Sequence, residues 1–492
     1  MRARLLISLL VATSVAAAGR DMRLIEAMKK QDNIAVRALL KERVDVNAPQ
    51  GDGATALHWA AHWNDLEATD LLIRAGAAVN TANDLGATPL WVACTNSDST
   101  AVVDRLLKAG ADPNVTLPSG ETPLMTASQA GNADAVKLLL AHGANVNAKE
   151  RSRGQTALMW AVAQRHPKVV QVIIENGADV NARADVKVMR VNTGTFLDNT
   201  VSDYRSSSFY DVPGVMTLSQ RGYTPLLFAA AQGDVESARL LLAAGANVND
   251  MAPVGTSALV VAAHSGHGAL GAFLLDKGAD PNAADAGYTA LHAAILRADV
   301  ELVKALLAHG ANPNTPVMKG TPNRRGGGDY ALGIQIIGAT PMVLAAQFVE
   351  PDIMRVLAGK GADPYFVMKN GTTTLMAALR VRQGENHRGG AEDQVERVLE
   401  AVKVALDLGV DVNTGDDVGD TALHLAASRR LNPVVQFLVD AGAKLDAKNK
   451  KGQTPLAMAG SSTKRFDPDS QTARIGDSNS TADLLRKLGA RE

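Results

Sequence analysis

Two residue ladders with a shared period constrain this chain more than any other feature. The first is a hydroxyl residue ahead of an apolar run: Thr55, Thr88, Thr122, Thr156, Thr224, Ser257, Thr289, Thr340, Thr373, Thr421 and Thr454. The successive spacings are 33, 34, 34, 68, 33, 32, 51, 33, 48 and 33 residues. A Thr or Ser hydroxyl accepts a backbone N–H that the first helical turn leaves orphaned. Pro follows several of these residues, at a position where its missing N–H costs nothing. The second ladder is a glycine after an apolar run: Gly76, Gly110, Gly143, Gly177, Gly245, Gly278, Gly310, Gly361, Gly409, Gly442 and Gly489. Glycine is what a left-handed helix stop requires. Ala or Val follows each one, and then usually an Asn, as at Asn80 and Asn147. That Asn is expected to begin a turn.

Each repeat therefore reads as helix, short turn, helix, glycine stop and turn-rich link. With a period near 33, this pattern resembles the ankyrin repeat. The stretch from Thr289 to Ala294 (TALHAA) through Leu306 to Asn314 (LLAHGANPN) follows the family pattern over a whole unit. The resemblance covers nearly all of Asp21 to Glu492, with residues 21–50 as a first repeat lacking its hairpin. It implies an all-α solenoid of about twelve helix-turn-helix units joined by β-hairpin-like links. Low aromatic content, 4% within 46% apolar residues, fits closely packed Ala- and Leu-rich helices.

The ladders also locate the insertions. The Thr-to-Gly distance is 21 or 22 in most repeats but 36 from Thr373 and 35 from Thr454. Extra residues near 381–393 and 460–480 therefore lie between the two helices of their repeats, and both segments read as polar surface loops. The other two insertions, 182–220 and 315–338, lie in the links. The expected organisation is a signal peptide at 1–18, repeats at 19–181, 221–314 and 339–492, and the two link insertions between them. The 182–220 segment holds Phe196, Tyr204, Phe209 and Tyr210, against 4 Trp, 6 Tyr and 8 Phe in the whole chain. Disordered linkers are poor in aromatics, so this segment reads as an ordered finger with binding anchors. The 315–338 segment carries Arg324 and Arg325 on a glycine-rich tip, a pattern suited to a carboxylate or phosphate.

Arg2 and Arg4, the apolar run Leu5 to Ala16, and Ala16 to Ala18 read as a signal peptide cleaved after Ala18. A periplasmic or secreted monomer is expected, with no membrane insertion after cleavage. The net charge of -1 supplies no field for nucleic acid. Cys94 is the only cysteine, so no internal disulfide is available.

Motifs that would carry chemistry lack their context. Gly266 to Gly271 matches a dinucleotide loop but follows a helix, not a strand. His264 and His267 have no third metal ligand placed with them. Cys94 sits where a small packing residue belongs. The resemblance makes His58, His292 and His424 structural, and Trp91, Met125 and Met159 stand in the same place. No catalytic residue, cofactor or metal is expected.

The resemblance implies a concave face built from hairpin tips and first helices, whose late residues vary because they do not hold the stack. Trp63, Arg165, Arg297 and Arg429 fall there. With the finger, they are expected to grip a protein with an acidic patch. Two other readings remain open at this point. One is a small-ligand or enzymatic site on the inserted loops, using Asp198, Asp203, Tyr204, Tyr210 and Asp211. The other is an exported effector that binds host proteins.

Overall fold

A computed structural model describes residues 21–192, 215–319, 336–380, 391–460 and 478–491. Its contacts divide into two compact bodies, Met1–Met189 with Leu218–Pro253 and Arg190–Thr217 with Val254–Glu492. The described residues form helix pairs in chain order. In the first body these are α1 (Arg23–Lys29) with α2 (Asn33–Lys41), α3 (Ala56–His62) with α4 (Leu66–Arg74), and α5 (Pro89–Ala93) with α6 (Thr100–Lys108). Next come α7 (Pro123–Ala130) with α8 (Ala133–Ala141), α9 (Ala157–Ala163) with α10 (Pro167–Glu175), and α11 (Pro225–Gln232) with α12 (Val235–Ala243). The second body opens with α13 (Ala258–Ser265) and α14 (Gly268–Asp276), α15 (Ala290–Leu296) and α16 (Val300–Ala308), and α17 (Pro341–Gln347) and α18 (Pro351–Ala358). It continues with α19 (Thr374–Leu379) and α20 (Ala391–Asp407), α21 (Ala422–Ser428) and α22 (Asn432–Asp440), and α23 (Pro455–Gly460) and α24 (Ser478–Lys487). The expected all-α solenoid of paired helices is therefore the architecture.

The ladders do the local work that their chemistry dictates. The hydroxyls of Thr88, Thr122, Thr156 and Thr373 accept the N–H three residues on, at 3.2–3.4 Å. Gly76 takes φ +91°, and Ala77 N–H reaches back to Leu72 O at 3.0 Å, closing the helix in a left-handed cap. First helices are buried on nearly every face. In α15 all seven residues are buried, from Ala290 to Leu296. Second helices bury a stripe and turn charges outward, as in α4 with Ala68, Thr69 and Leu72 inside.

The ladder Asn does more than begin a turn. Asn47, Asn80, Asn114 and Asn147 each donate from the side-chain amide to the stop glycine of the next repeat, at 2.9–3.2 Å. The same amides accept N–H groups from Ala78, Asp112, Asn145 and Asp179, all at 2.8 Å. Each amide thus clasps two adjacent repeats. The hairpin tips stack as well: Asp84 N–H donates to Asp52 O at 2.9 Å, and Arg151 N–H to Ser119 O at 2.8 Å. At Gly371 a Cβ would lie 2.6 Å from the nitrogen of Asp417, so this tip admits only glycine.

The insertions depart from expectation in three places. The 182–220 segment contains paired strands, β1 (Val186–Asn192) and β2 (Val215–Arg221), which form a two-stranded ribbon. The segment read as a loop to Asp393 is helical from Ala391, because α20 extends to 17 residues. Its sequence, AEDQVERVLEAVKVALD, opens with helix formers and acids suited to an N-terminus. Likewise α24 begins at Ser478, inside the segment read as a loop to 480. The two ends of the 315–338 insertion meet, with Val317 N–H donating to Ala339 O at 2.9 Å and Gly338 N–H to Val317 O at 2.7 Å. No described helix is long and apolar enough to cross a membrane.

Candidate interaction face

The residues expected to bind occupy one structural place in their repeats. Trp63, Arg297 and Arg429 are the C-cap residues of α3, α15 and α21. Arg165 lies one residue later in its repeat, in the left-handed turn before α10, with φ +60°. Other repeats put Gly131, Gly233 or Gly266 at that turn. The remaining expected residues, Phe196, Tyr204, Phe209, Tyr210, Arg324 and Arg325, lie outside the described residues.

The expectation that this place does not hold the stack is corrected. Arg297 Nε donates to His264 O of the preceding repeat at 2.7 Å. Arg429 Nη1 donates to Leu379 O, and burial lowers its pKa. Asn96 likewise bonds to His62 O at 3.2 Å, and His166 to Gln129 O at 3.1 Å. A helix leaves its last carbonyls without partners, and the side chain one repeat on reaches them. Helix geometry alone signals this need, but only alignment of the repeats shows which side chain meets it.

Trp63 differs, since 40% of it is exposed. Its ring lies 4.6 Å from His62 and 6.3 Å from Trp59 between centroids. Lys29 Nζ sits 5.5 Å from the Trp59 ring centroid. Burial lowers the His62 pKa, so the cluster presents neutral aromatic surface beside one cation. Ile34 and Leu66 are exposed at the starts of the second helices α2 and α4. All four tryptophans of the chain, Trp59, Trp63, Trp91 and Trp160, lie in the first body.

His58, His292 and His424 share a single geometry. Each Nδ1 accepts the N–H of the capping Thr at 3.0–3.1 Å and meets its hydroxyl at 2.9–3.0 Å. The accepting Nδ1 carries no proton, so the neutral ring carries it on Nε2. That nitrogen lies 2.9–3.0 Å from Ala87 O, Thr315 O or Gln453 O in the following link. Burial lowers the His58 pKa, and the His292 pKa to about 4.

The ribbon is rooted on the repeats of α9 and α11. Ala182 and Ala184 are buried with Met159, and Phe228 packs against them. Tyr223 meets Phe228 edge-on at 5.7 Å. Ala184 N–H donates to Tyr223 O at 3.0 Å, and Asp185 N–H to Arg153 O at 2.7 Å. Arg183 donates to Gly222 O at 2.8 Å, to Met251 O at 2.9 Å and to Asp250 Oδ1 at 2.5 Å. Sequence reasoning did not single out Arg183 or Asp250.

Cys94 caps α5 and is fully buried, which pushes its thiol well above the ordinary range. Gly266, at φ +80°, closes α13, and α14 begins at Gly268, so the glycine-rich motif spans a helix-helix turn. Among the described residues, no three or more His, Cys, Asp or Glu side chains form a group able to hold a metal ion.

A family model described as "Ankyrin repeats (3 copies)" matches residues 24–117, 98–184, 226–317 and 394–467, more than half of the chain. The chain belongs to the ankyrin-repeat family. The E3 ubiquitin-protein ligase KEG of Arabidopsis thaliana is 25% identical over 287 residues, which cover 52% of this chain and 17% of that protein. Ankyrin repeat and SOCS box protein 16 of Homo sapiens is 30% identical over 218 residues, 42% of this chain and 47% of its own length. A putative ankyrin repeat-containing protein of Treponema pallidum (strain Nichols) is 41% identical over 95 residues, 19% of this chain and 32% of its own. The chain thus spans less than half the length of these relatives. The human ASB11 ankyrin repeat domain aligns with a TM-score of 0.39 at 24% identity, covering 59% of this chain and 98% of that domain. An ankyrin array is a scaffold for protein–protein contact and is typically not an enzyme.

Proposed function

We propose that this ankyrin array holds one protein partner in the periplasm or outside the cell, gripping it with the first-helix face and the 182–220 finger together. The observation that carries this reading is the exposed aromatic cluster at Trp63, with a ribbon rooted on Met159 and Phe228 further along the same array of repeats. Solvent-exposed Trp on a rigid helix end supplies large contact area at low entropy cost. The apolar N-terminal run with its Arg residues supports export. Arg297 and Arg429 serve the stack, so within the basic part of the face the partner's acidic groups meet Arg165.

Affinity capture tests the reading. The mature chain, Gly19 to Glu492, is compared in a periplasmic extract with a version carrying a normal-length link in place of 182–220 and with Trp63→Ala. One protein captured by the full chain and lost in both variants is the expected result. Capture by all three chains alike removes the face and the finger from the site. Cell fractionation that finds the chain only in the cytoplasm removes the address.

A further inference from the structure

The root of the ribbon carries two exceptions to the repeat pattern that meet each other. Two residues after the ladder Asn, other links place Pro49, Ala82, Thr116, Lys149, Met251 or Gly415. Only the link that bears the ribbon places an arginine there, Arg183. Five residues after the stop glycine, other links place Thr81, Val115, Ala148, Ala283, Thr315 or Thr414. Only the link after Gly245 places an acid there, Asp250. These two exceptions form the ion pair at 2.5 Å.

The guanidinium has more than one bond to give, and its planar fork fixes direction. One end of it holds Gly222 O, the carbonyl just after β2. It also holds Met251 O and the Asp250 carboxylate in the next link. Lys149 Nζ donates to the carbonyl of Arg183 itself at 2.9 Å. The links on either side are thereby tied to the point where both strands leave the array. Stability alone does not account for the pair. The Asp250 side chain is 19% exposed, and its Oδ2 is buried without a hydrogen-bond partner. A half-satisfied buried carboxylate opposes folding. An isolated two-stranded ribbon is marginal in water, so its direction has to come from its root.

We propose that Arg183, through Asp250 and the Gly222 and Met251 carbonyls, is the positioning residue that fixes how the ribbon leaves the array. The inference deepens the proposed function, since a finger presents a binding surface only if its direction is set. Its test uses no partner, so its outcome is separate from that of the capture experiment.

Amide hydrogen exchange of the full mature chain is measured for the wild type, Arg183→Gln, Arg183→Lys and Asp250→Asn. In Arg183→Gln the amides of β1 and β2 are expected to exchange about tenfold faster, with α9 and α11 unchanged. Arg183→Lys keeps the charge and loses the fork, so it is expected to fall near Gln. Asp250→Asn leaves both carbonyl bonds in place, so it is expected to give a smaller rise. Wild-type exchange in the ribbon of Arg183→Gln overturns the proposal. Equal acceleration of the ribbon and the flanking helices also overturns it, because the residue is then an ordinary stabiliser. Full rescue by lysine reduces the clamp to a charge pair and overturns the fork.

Discussion

Repeats joined through histidine and repeats joined through packing solve one problem in two ways. In the repeats of His58, His292 and His424, one imidazole satisfies the capping Thr and bonds to the next link. In the repeats of Trp91, Met125 and Met159, the same place is filled by an apolar body that is 6%, 0% and 0% exposed. The Thr hydroxyl accepts from the helix in both kinds of repeat. A left-handed non-glycine residue at the turn between helices occurs with both kinds of joint: Asn64, Ala298 and Arg430 in the histidine repeats, with φ of 55°, 50° and 60°, and Arg165 in the Met159 repeat, with φ 60°. The Met125 repeat has Gly131 at that turn. The lesson is that a joint made of directional bonds specifies geometry tightly and carries a titratable group, whereas a packed joint does neither.

His292→Met is the largest way to break this comparison. It leaves the buried Thr289 N–H and the half-buried Thr315 carbonyl without their partner, and is expected to cost about 3 kcal/mol. Met159→Leu, volume-conserving in a packed joint, is expected to cost under about 1 kcal/mol. Urea denaturation of both variants at pH 7 checks the pair, and equal losses refute the distinction.

Acid sharpens the comparison. The His292 pKa falls to about 4 in the fold, against about 6.5 in an unfolded chain. Above pH 6.5 the ring is neutral in both states and the full stability is present. Between about 6.5 and about 4 the unfolded chain takes up a proton that the fold refuses, so stability falls with pH by about 1.4 kcal/mol per unit. The wild type minus His292→Met difference, followed by denaturation from pH 7 to 4, should therefore shrink as acid is added. A constant difference means that the imidazole is not held neutral.

The clasp is common to both kinds of joint, so Asn114→Ala beside Met125 and Asn282→Ala beside His292 should each cost about 1 kcal/mol. The bonds lost to Gly143 and Gly310 are both 2.9 Å long. A loss confined to one kind of joint couples the clasp to the histidine. The smallest effect is expected of Ala298→Gly, a gain of about 0.5 kcal/mol from relief of the left-handed alanine, read as a higher urea midpoint.

The sequence made the helices legible because caps are local chemistry. A Thr or Gly announces its end of a helix regardless of what packs on it, and the 33-residue period follows. The ladder Asn was legible as a turn residue but not as a clasp, since its partner lies 29 residues away, as Asn47 is from Gly76. The strand character of the 182–220 insertion was present in VKVMRVN and VMTLSQR. Arg297 and Arg429 looked free because an arginine at a helix end is usually solvated, and the carbonyl it meets belongs to another repeat. The places of Trp63 and Arg165, at and just after the end of a first helix, were legible from the repeat. The root of the ribbon was not, because it depends on two residues 67 apart.

The clasp also has a polarity, and the joint at Asp446 keeps only half of it. There the ladder residue is Asp446, which accepts Arg491 N–H at 3.1 Å but has no N–H to give to the carbonyl of Gly489. Every joint whose clasp is described above exchanges bonds in both directions, and this one only receives. Neighbouring repeats in a linear array hold one another through such joints, so on heating α23 and α24 should part from α21 and α22 before a joint clasped in both directions opens. The repeats before this joint then outlast it, leaving a shortened scaffold with its ribbon and its Trp63 cluster still in place.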